Sequence, residues 1–205
     1  IADASNLKRS LFLCSQIIDL KIPVVLVLNM MDLAVHKGLL PDIKKLEQAL
    51  GIKVIPAIVR QKTGIEEIKK AVLHTIPIPE NDIMPATTLA PELIQEIKQA
   101  FPVKSDYTAY LLAGNYDKVD LSFVGQDGKQ KLDTLLQQHQ FSQKAMQATE
   151  TLERYKTISV LLKSCVSEPA SVQKSLTRTV DNLVTHRIWG YGIFLAILFV
   201  IFQFI

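Results

Sequence analysis

The chain has 205 residues, 48% hydrophobic and 21% charged, which suits one large or two small globular domains and excludes a disordered chain. A formal net charge of +3 is too small to indicate a nucleic-acid partner, and no basic stripe with interleaved aromatics occurs. Cys14 and Cys165 fall far apart in helical apolar patterns and read as buried thiols in a reducing compartment. Neither they nor the scattered His36, His74, His139 and His186 have metal-ligand spacing.

The chain begins at Ile1 in what reads as a strand end and stops at Ile205 inside an apolar run, so both ends read as cuts in a longer polypeptide. Leu7, Leu11, Cys14 and Ile18 form the stripe of an amphipathic helix, with Asp3, Ser5 or Asn6 placed to cap it. Pro23 to Leu28 is an apolar run without polar alternation, the pattern of a strand buried on both faces of a parallel sheet. It ends in Asn29-Met30-Met31-Asp32, and ligands of such sheets bind beyond the carboxyl ends of the strands. An aspartate there accepts hydrogen bonds from the ring N–H and exocyclic amine of guanine together, a pair that adenine cannot offer. Asn29 can tie the loop to its neighbours and contact the base. The alternative is an ordinary strand-to-helix turn in which Asp32 caps the next helix.

Gly38 breaks the chain, and Pro41 is expected to open a helix with Ile43, Leu46 and Leu50 inward, closed by Gly51. Lys53 to Ile58 reads as a second short strand, and a loop through Gly64 leads to a helix with Ile65, Ile68 and Val72 inward. Strands and helices in alternation predict an α/β fold with a parallel sheet and right-handed crossovers. Pro77, Pro79 and Pro85 mark 77–85 as a linker.

Beyond it the pattern is all-α. Leu89, Leu93, Ile97 and Phe101 are spaced by fours, and Asp106–Ala113 is a short helix ended by Gly114-Asn115. Gly125 to Gly128 reads as a turn before a helix holding Leu132, Leu135 and Leu136. The longest helix runs from Ser142 to Val166 on a stripe of Ala145, Ala148, Leu152, Tyr155, Ile158, Leu162 and Cys165. Arg154-Tyr155 reads as a solvated arginine beside a packing tyrosine, and nothing in 86–166 has catalytic spacing. The juxtamembrane segment 167–187 carries Lys174, Arg178 and Arg187. Residues 188–205 contain no charge and only Gln203 as a strongly polar group, which predicts the start of a transmembrane helix, with a buried core helix as the alternative. Trp189 and Tyr191 stand at its interfacial end, and the basic residues before it place 1–187 in the cytoplasm.

Ala2-Asp3-Ala4-Ser5-Asn6-Leu7 with Leu11 and Leu13, Ile22 through Asp32, and Gly64-Ile65-Glu66-Glu67 stand in this order. Arg154-Tyr155 and the block Leu176-Thr177, Asp181, Thr185-His186, Gly190 and Ile193-Phe194 follow. Together they resemble the FeoB family of prokaryotic ferrous-iron transport proteins. The resemblance implies that 1–76 is the C-terminal half of a GTP-binding (G) domain, a partial P-loop GTPase-type sheet. It implies a helical domain over 86–166 that helps hold GDP, then the first span of a polytopic inner-membrane domain passing Fe²⁺. The implied ligand is GTP or GDP, with Mg²⁺ held by residues outside this chain; a homo-oligomer is left open.

The nucleotide site so implied comprises Asn29, Met30, Met31, Asp32, Ile58 and Val59. Ile58-Val59 stand where the family's fifth motif usually reads Ser-Ala, so Val59 keeps a backbone N–H for the guanine carbonyl but the bracing hydroxyl is gone. Met30 stands where many small G proteins have lysine, which predicts a weaker hold on GDP and faster release. Plain packing is the alternative, and for Met31 the preferred one. No Gly-x-x-x-x-Gly-Lys-Ser/Thr loop, switch threonine or Asp-x-x-Gly occurs in these residues. The 205 residues alone are therefore expected neither to hydrolyse GTP nor to fold stably, and no catalytic residue is assigned. Two rival readings are a membrane-anchored regulatory G protein without transport and a nucleotide-free helical interaction module.

Overall fold

The computed structural model describes residues 1–116, 126–167, 186 and 189–204. Ile1–Ser167 form one compact unit and Glu168–Ile205 a second. The first opens with a three-stranded parallel sheet of β1 (Ala2–Asp3), β2 (Val25–Asn29) and β4 (Lys53–Pro56), in the order β1-β2-β4. Its register sets Asp3 beside Asn29 and Leu28 beside Pro56. Leu26, Val27 and Leu28 are all buried, which is why the β2 sequence shows no alternation.

Helix α1 (Leu7–Asp19) packs Leu7, Leu11, Cys14 and Ile18 into the core, as the spacing predicts. Burying each such aliphatic side chain contributes about 1.5–3 kcal/mol. Asp3 caps the short turn ahead of it, accepting from the Ser5 N–H at 2.8 Å. Burial pushes the Cys14 thiol up to about 11, and Cys165 is buried too.

Helix α2 (Met31–His36) leads into β3 (Leu40–Pro41), so Pro41 lies in a strand and does not open the next helix. Asp42 caps α3 (Ile43–Leu50) by accepting from the Lys45 N–H, and Gly51 closes it with φ 65°. β4 ends at Pro56, short of the expected Ile58. α4 (Ile65–Leu73) buries none of its residues, and Val72 is 65% exposed where an inward position was expected.

Residues 77–85 are pinned to the end of α1. Lys21 pairs with Asp82 at 2.7 Å and donates to the Glu80 carbonyl, while the Ile83 N–H donates to Asp19 Oδ1 at 2.6 Å. The helical part comprises α5 (Pro91–Ala100), α6 (Asp106–Gly114), α7 (Gln126–Gln138) and α8 (Gln143–Cys165). Ser105 and Ser142 cap α6 and α8. Gln126, Asp127 and Gly128 already belong to α7, where a turn was expected; Gly125 lies outside the described residues.

The buried line of α8 differs most from expectation. Met146, Glu150, Arg154, Ile158 and Cys165 face inward, whereas Leu152 is 70% exposed. Arg154, read as solvated, is fully buried. Its Nη1 donates to Asp19 Oδ2 at 2.7 Å and to the Ser15 hydroxyl at 3.0 Å. Its Nε donates to Glu150 Oε1 at 3.2 Å, and the guanidinium lies 4.8 Å over the Tyr107 ring. Nη2 stands 3.1 Å from Glu150 as an ion pair without hydrogen-bond alignment. The Tyr107 hydroxyl donates to the same Glu150 oxygen. Burial raises the Asp19 carboxyl above its ordinary value despite the Arg154 and Ile83 donors. Burial, then the hydrogen bond and charge of Glu150, raises Tyr107. This joint fastens α8 to α1. Tyr155 packs its ring on Phe12 at 4.8 Å, consistent with a packing tyrosine.

After α8 the chain forms β5 (Val166–Ser167), antiparallel to β3. In the second unit, α9 (Trp189–Phe204) is a single apolar helix of 16 residues. No helix among the described residues is long and apolar enough to cross a membrane. Lys174, Arg178, Arg187 and the block Leu176 to Thr185 lie outside the described residues.

Candidate functional site

The carboxyl end of β2 brings the sequence-predicted residues to one edge. Asn29 closes the strand, and its Oδ1 accepts from the Val59 N–H at 3.1 Å. That bond ties the β2 loop to the loop after β4. Val59, which sequence reasoning assigned to the guanine carbonyl, thus spends its N–H on Asn29. Two backbone bonds reinforce the tie: Ala57 N–H to the Leu28 carbonyl at 2.7 Å, and Met31 N–H to the Ala57 carbonyl at 3.4 Å.

Met30 has φ 62° and ψ 35°, in the left-handed region. A non-glycine residue costs roughly 1–2 kcal/mol there, and the turn lets α2 start within one residue of the strand. Met30 stands at the N-cap position without a side-chain capping bond, and Asp32 lies inside the first turn of α2. The Asp32 carboxylate is therefore not spent as a cap, although its charge suits the positive end of the helix. It is partly exposed and pairs at 3.7 Å with Nη2 of the exposed Arg60.

Met30 is 45% and Val59 42% exposed, so the edge is open to solvent. Met31 packs against the core, Ile58 is half-buried, and Ala34 one turn later is buried. The loop after β4 closes through reciprocal Ile58–Thr63 backbone bonds, both 3.2 Å. Gly64 then turns with φ 84°, where a Cβ would meet the Pro56 carbonyl at 2.6 Å. The sequence reading missed Arg60; its place beside the fifth-motif pair was the available signal. Among the described residues no group of His, Cys, Asp or Glu is arranged to hold a metal ion.

A parallel sheet with Asn-x-x-Asp at a strand's carboxyl end, followed by a helical part, is an α/β arrangement similar to that of G domains. The family model described as ferrous iron transport protein B matches residues 1–72. The Fe(2+) transporter FeoB of Legionella pneumophila (strain Paris) is 28% identical over the whole of this chain, and that of Salmonella typhimurium is 29% identical over 98% of it. The chain spans about a quarter, 27%, of the length of these relatives. The solved cytosolic domain of L. pneumophila FeoB matches with a TM-score of 0.60 at 28% identity, covering 81% of this chain and 66% of that one. A GDP-bound S. thermophilus FeoB G-domain matches at 0.56 and 24% identity over 82% of this chain and 68% of its own, a likeness of fold. The resemblance to the FeoB family drawn from the sequence is borne out, and the homologues are Fe²⁺ transporters with a cytosolic G domain.

Proposed function

We propose that this chain supplies the guanine-reading edge and the helical domain of a GTP-dependent Fe²⁺ transporter of a bacterial inner membrane. The observation that carries the reading is the convergence of Asn29, Asp32, Ile58 and Val59 on one open sheet end, with an aspartate not used as a cap. In this reading Asp32 accepts from the ring N–H and exocyclic amine of guanine. Asn29 holds the two loops together and meets the base. Met30 covers the base, Met31 anchors the loop in the core, and Ile58-Val59 form the far wall. GTP or GDP is the ligand; Mg²⁺ and catalysis fall to residues outside this chain, and Fe²⁺ is cargo of a membrane domain beyond it.

The domain division follows: 1–76 the half G domain, 77–85 the linker, 86–166 the helical domain, 167–187 the juxtamembrane segment and 188–205 the start of the first span. The uncharged character of 188–205 supports the last assignment. At 1.5 Å per residue, α9 with its 16 residues covers about 24 Å of a core roughly 30 Å thick.

The test compares GDP with xanthosine diphosphate in the wild type and in Asp32→Asn, on the full polypeptide. Xanthine carries a carbonyl where guanine carries its amine, so asparagine should shift the preference to xanthosine. Absence of guanine-nucleotide binding in both proteins would transfer the chain to the interaction-module reading. Met30→Lys restores a charged donor, and charge-assisted hydrogen bonds contribute about 1.5–3 kcal/mol. GDP release should slow by roughly one to two decades; stopped-flow release at the wild-type rate would refute that role.

A further inference from the structure

The chain that leaves the guanine-reading loop is fastened at its far end. After α2, Gly38 turns with φ 77° and the backbone enters β3. There Leu40 pairs with Ser167 and Pro41 with Val166, and the Asp42 N–H donates to the Cys165 carbonyl at 2.8 Å. Hydrogen-bonded and non-bonded pairs alternate along an antiparallel ladder. The bond at Asp42–Cys165 makes Pro41–Val166 the non-bonded pair, where the missing N–H of proline costs nothing, and Leu40–Ser167 the next bonded one. β5 directly continues α8, and Cys165 shares a core cluster with Ala34 of α2. A short path therefore joins Asp32 to the last residues of the helical part.

Both of its elements are weak by themselves. α2 has six residues, fewer than the roughly 12–15 an isolated helix needs. The β3–β5 ladder has two residues a side, and a two-stranded ribbon is marginal alone. Elements of this kind lie at the low end of local stability and open first. At the loop end α2 starts from the left-handed Met30 with a long Met31–Ala57 bond, while buried Ala34 and the Lys37 donation to the Ser5 hydroxyl tie it to the turn ahead of α1.

We propose that the β3–β5 ladder is a strap worked by the guanine-reading loop. A base held at Asn29–Asp32 orders α2 and closes the strap on Val166–Ser167, and an empty loop lets it open. The inference rests on the guanine-site reading above. It makes the base the effective group, so GDP and GTP close the strap equally, unlike a switch that senses the γ-phosphate. Linkage demands the reverse effect: a strap forced shut holds the nucleotide longer.

The experiment uses the full polypeptide carrying Leu40→Cys and Ser167→Cys. Cα atoms of a bonded antiparallel pair lie about 5.5 Å apart, within disulfide reach. Peptide mapping verifies that the bond joins these positions and not Cys165. Oxidised and reduced forms of one molecule are compared, so a folding defect would show in both. Oxidation should slow GDP release roughly five-fold or more. In the reduced protein, GDP and a non-hydrolysable GTP analogue should protect the Ser167 amide from hydrogen exchange to the same degree. Ser167→Pro removes the ladder donor opposite Leu40 and should speed release. Equal release from the oxidised and reduced forms, or protection by the GTP analogue alone, overturns the strap. If the folded reduced protein binds no guanine nucleotide, the site reading fails and the strap with it. Binding with an unresponsive strap sinks the strap alone.

Discussion

Asp32 with Arg60 and Asp19 with Arg154 are the same pair of side-chain types in opposite settings. At the sheet end the atoms stand 3.7 Å apart, with the side chains 36% and 85% exposed; at the α1–α8 joint they stand 2.7 Å apart with both at 0%. Water screens the first pair, and such pairs contribute about 0–1 kcal/mol. The second is cut off from water, and each buried ion depends on its partners for all the solvation it lost. An exposed carboxylate held by a weak pair can be lent to a ligand. A buried one held by Arg154 and the Ile83 N–H is committed to the fold.

Removing Arg154 breaks the contrast hardest. Arg154→Met keeps the volume but leaves Asp19 and Glu150 buried without their cation. It should cost about 3–5 kcal/mol, read from the urea midpoint. A loss under one kcal/mol would show that water reaches the joint.

Asp19→Asn sharpens it, with an expected loss of about 1–3 kcal/mol and a change in pH dependence. Burial raises the native Asp19 above its ordinary 3.8. The folded chain therefore holds that proton more tightly than the unfolded one. The stability so gained is complete below pH 3.8 and is lost as pH rises through the native value. The asparagine variant lacks this slope, so the advantage of the wild type should shrink as pH rises. Urea melts across the carboxylate range would show it; parallel profiles would count against the buried assignment.

The smallest effect belongs to Arg60→Ala, which should change stability by no more than about 0.5 kcal/mol. A loss comparable to that of Arg154→Met would erase the difference between the two pairs.

The sheet end that gathers Asn29, Asp32 and Val59 was legible because its signals are local: an unalternating strand, a fixed spacing and a glycine before α4. Helix α1 was legible because its inward positions are apolar. The joint was not, because apolarity was the criterion for an inward face. Met146, Glu150, Arg154 and Ile158 recur every four residues as the hydrophobic stripe does, but the middle two are charged, so the reading rotated α8 toward Leu152. Two sequence features pointed the other way. Glu150 and Arg154 are an i,i+4 pair, and Asp19 directly follows Ile18 on the stripe of α1. Val72 failed for another reason: periodicity shows that a helix has an apolar side, not that any element covers it.

The joint also bears on how the chain comes to be folded during synthesis. Asp19 and Arg154 are separated by 135 residues. At roughly 5–20 residues per second, about 7–27 s pass between their emergence from the ribosome. Through that interval the carboxyl end of α1 has no cation to receive it, and Leu11 and Ile18 wait beside an unfinished wall. Folding of this unit cannot simply follow the order of translation. The joint between α1 and α8 can close only once Arg154 has emerged.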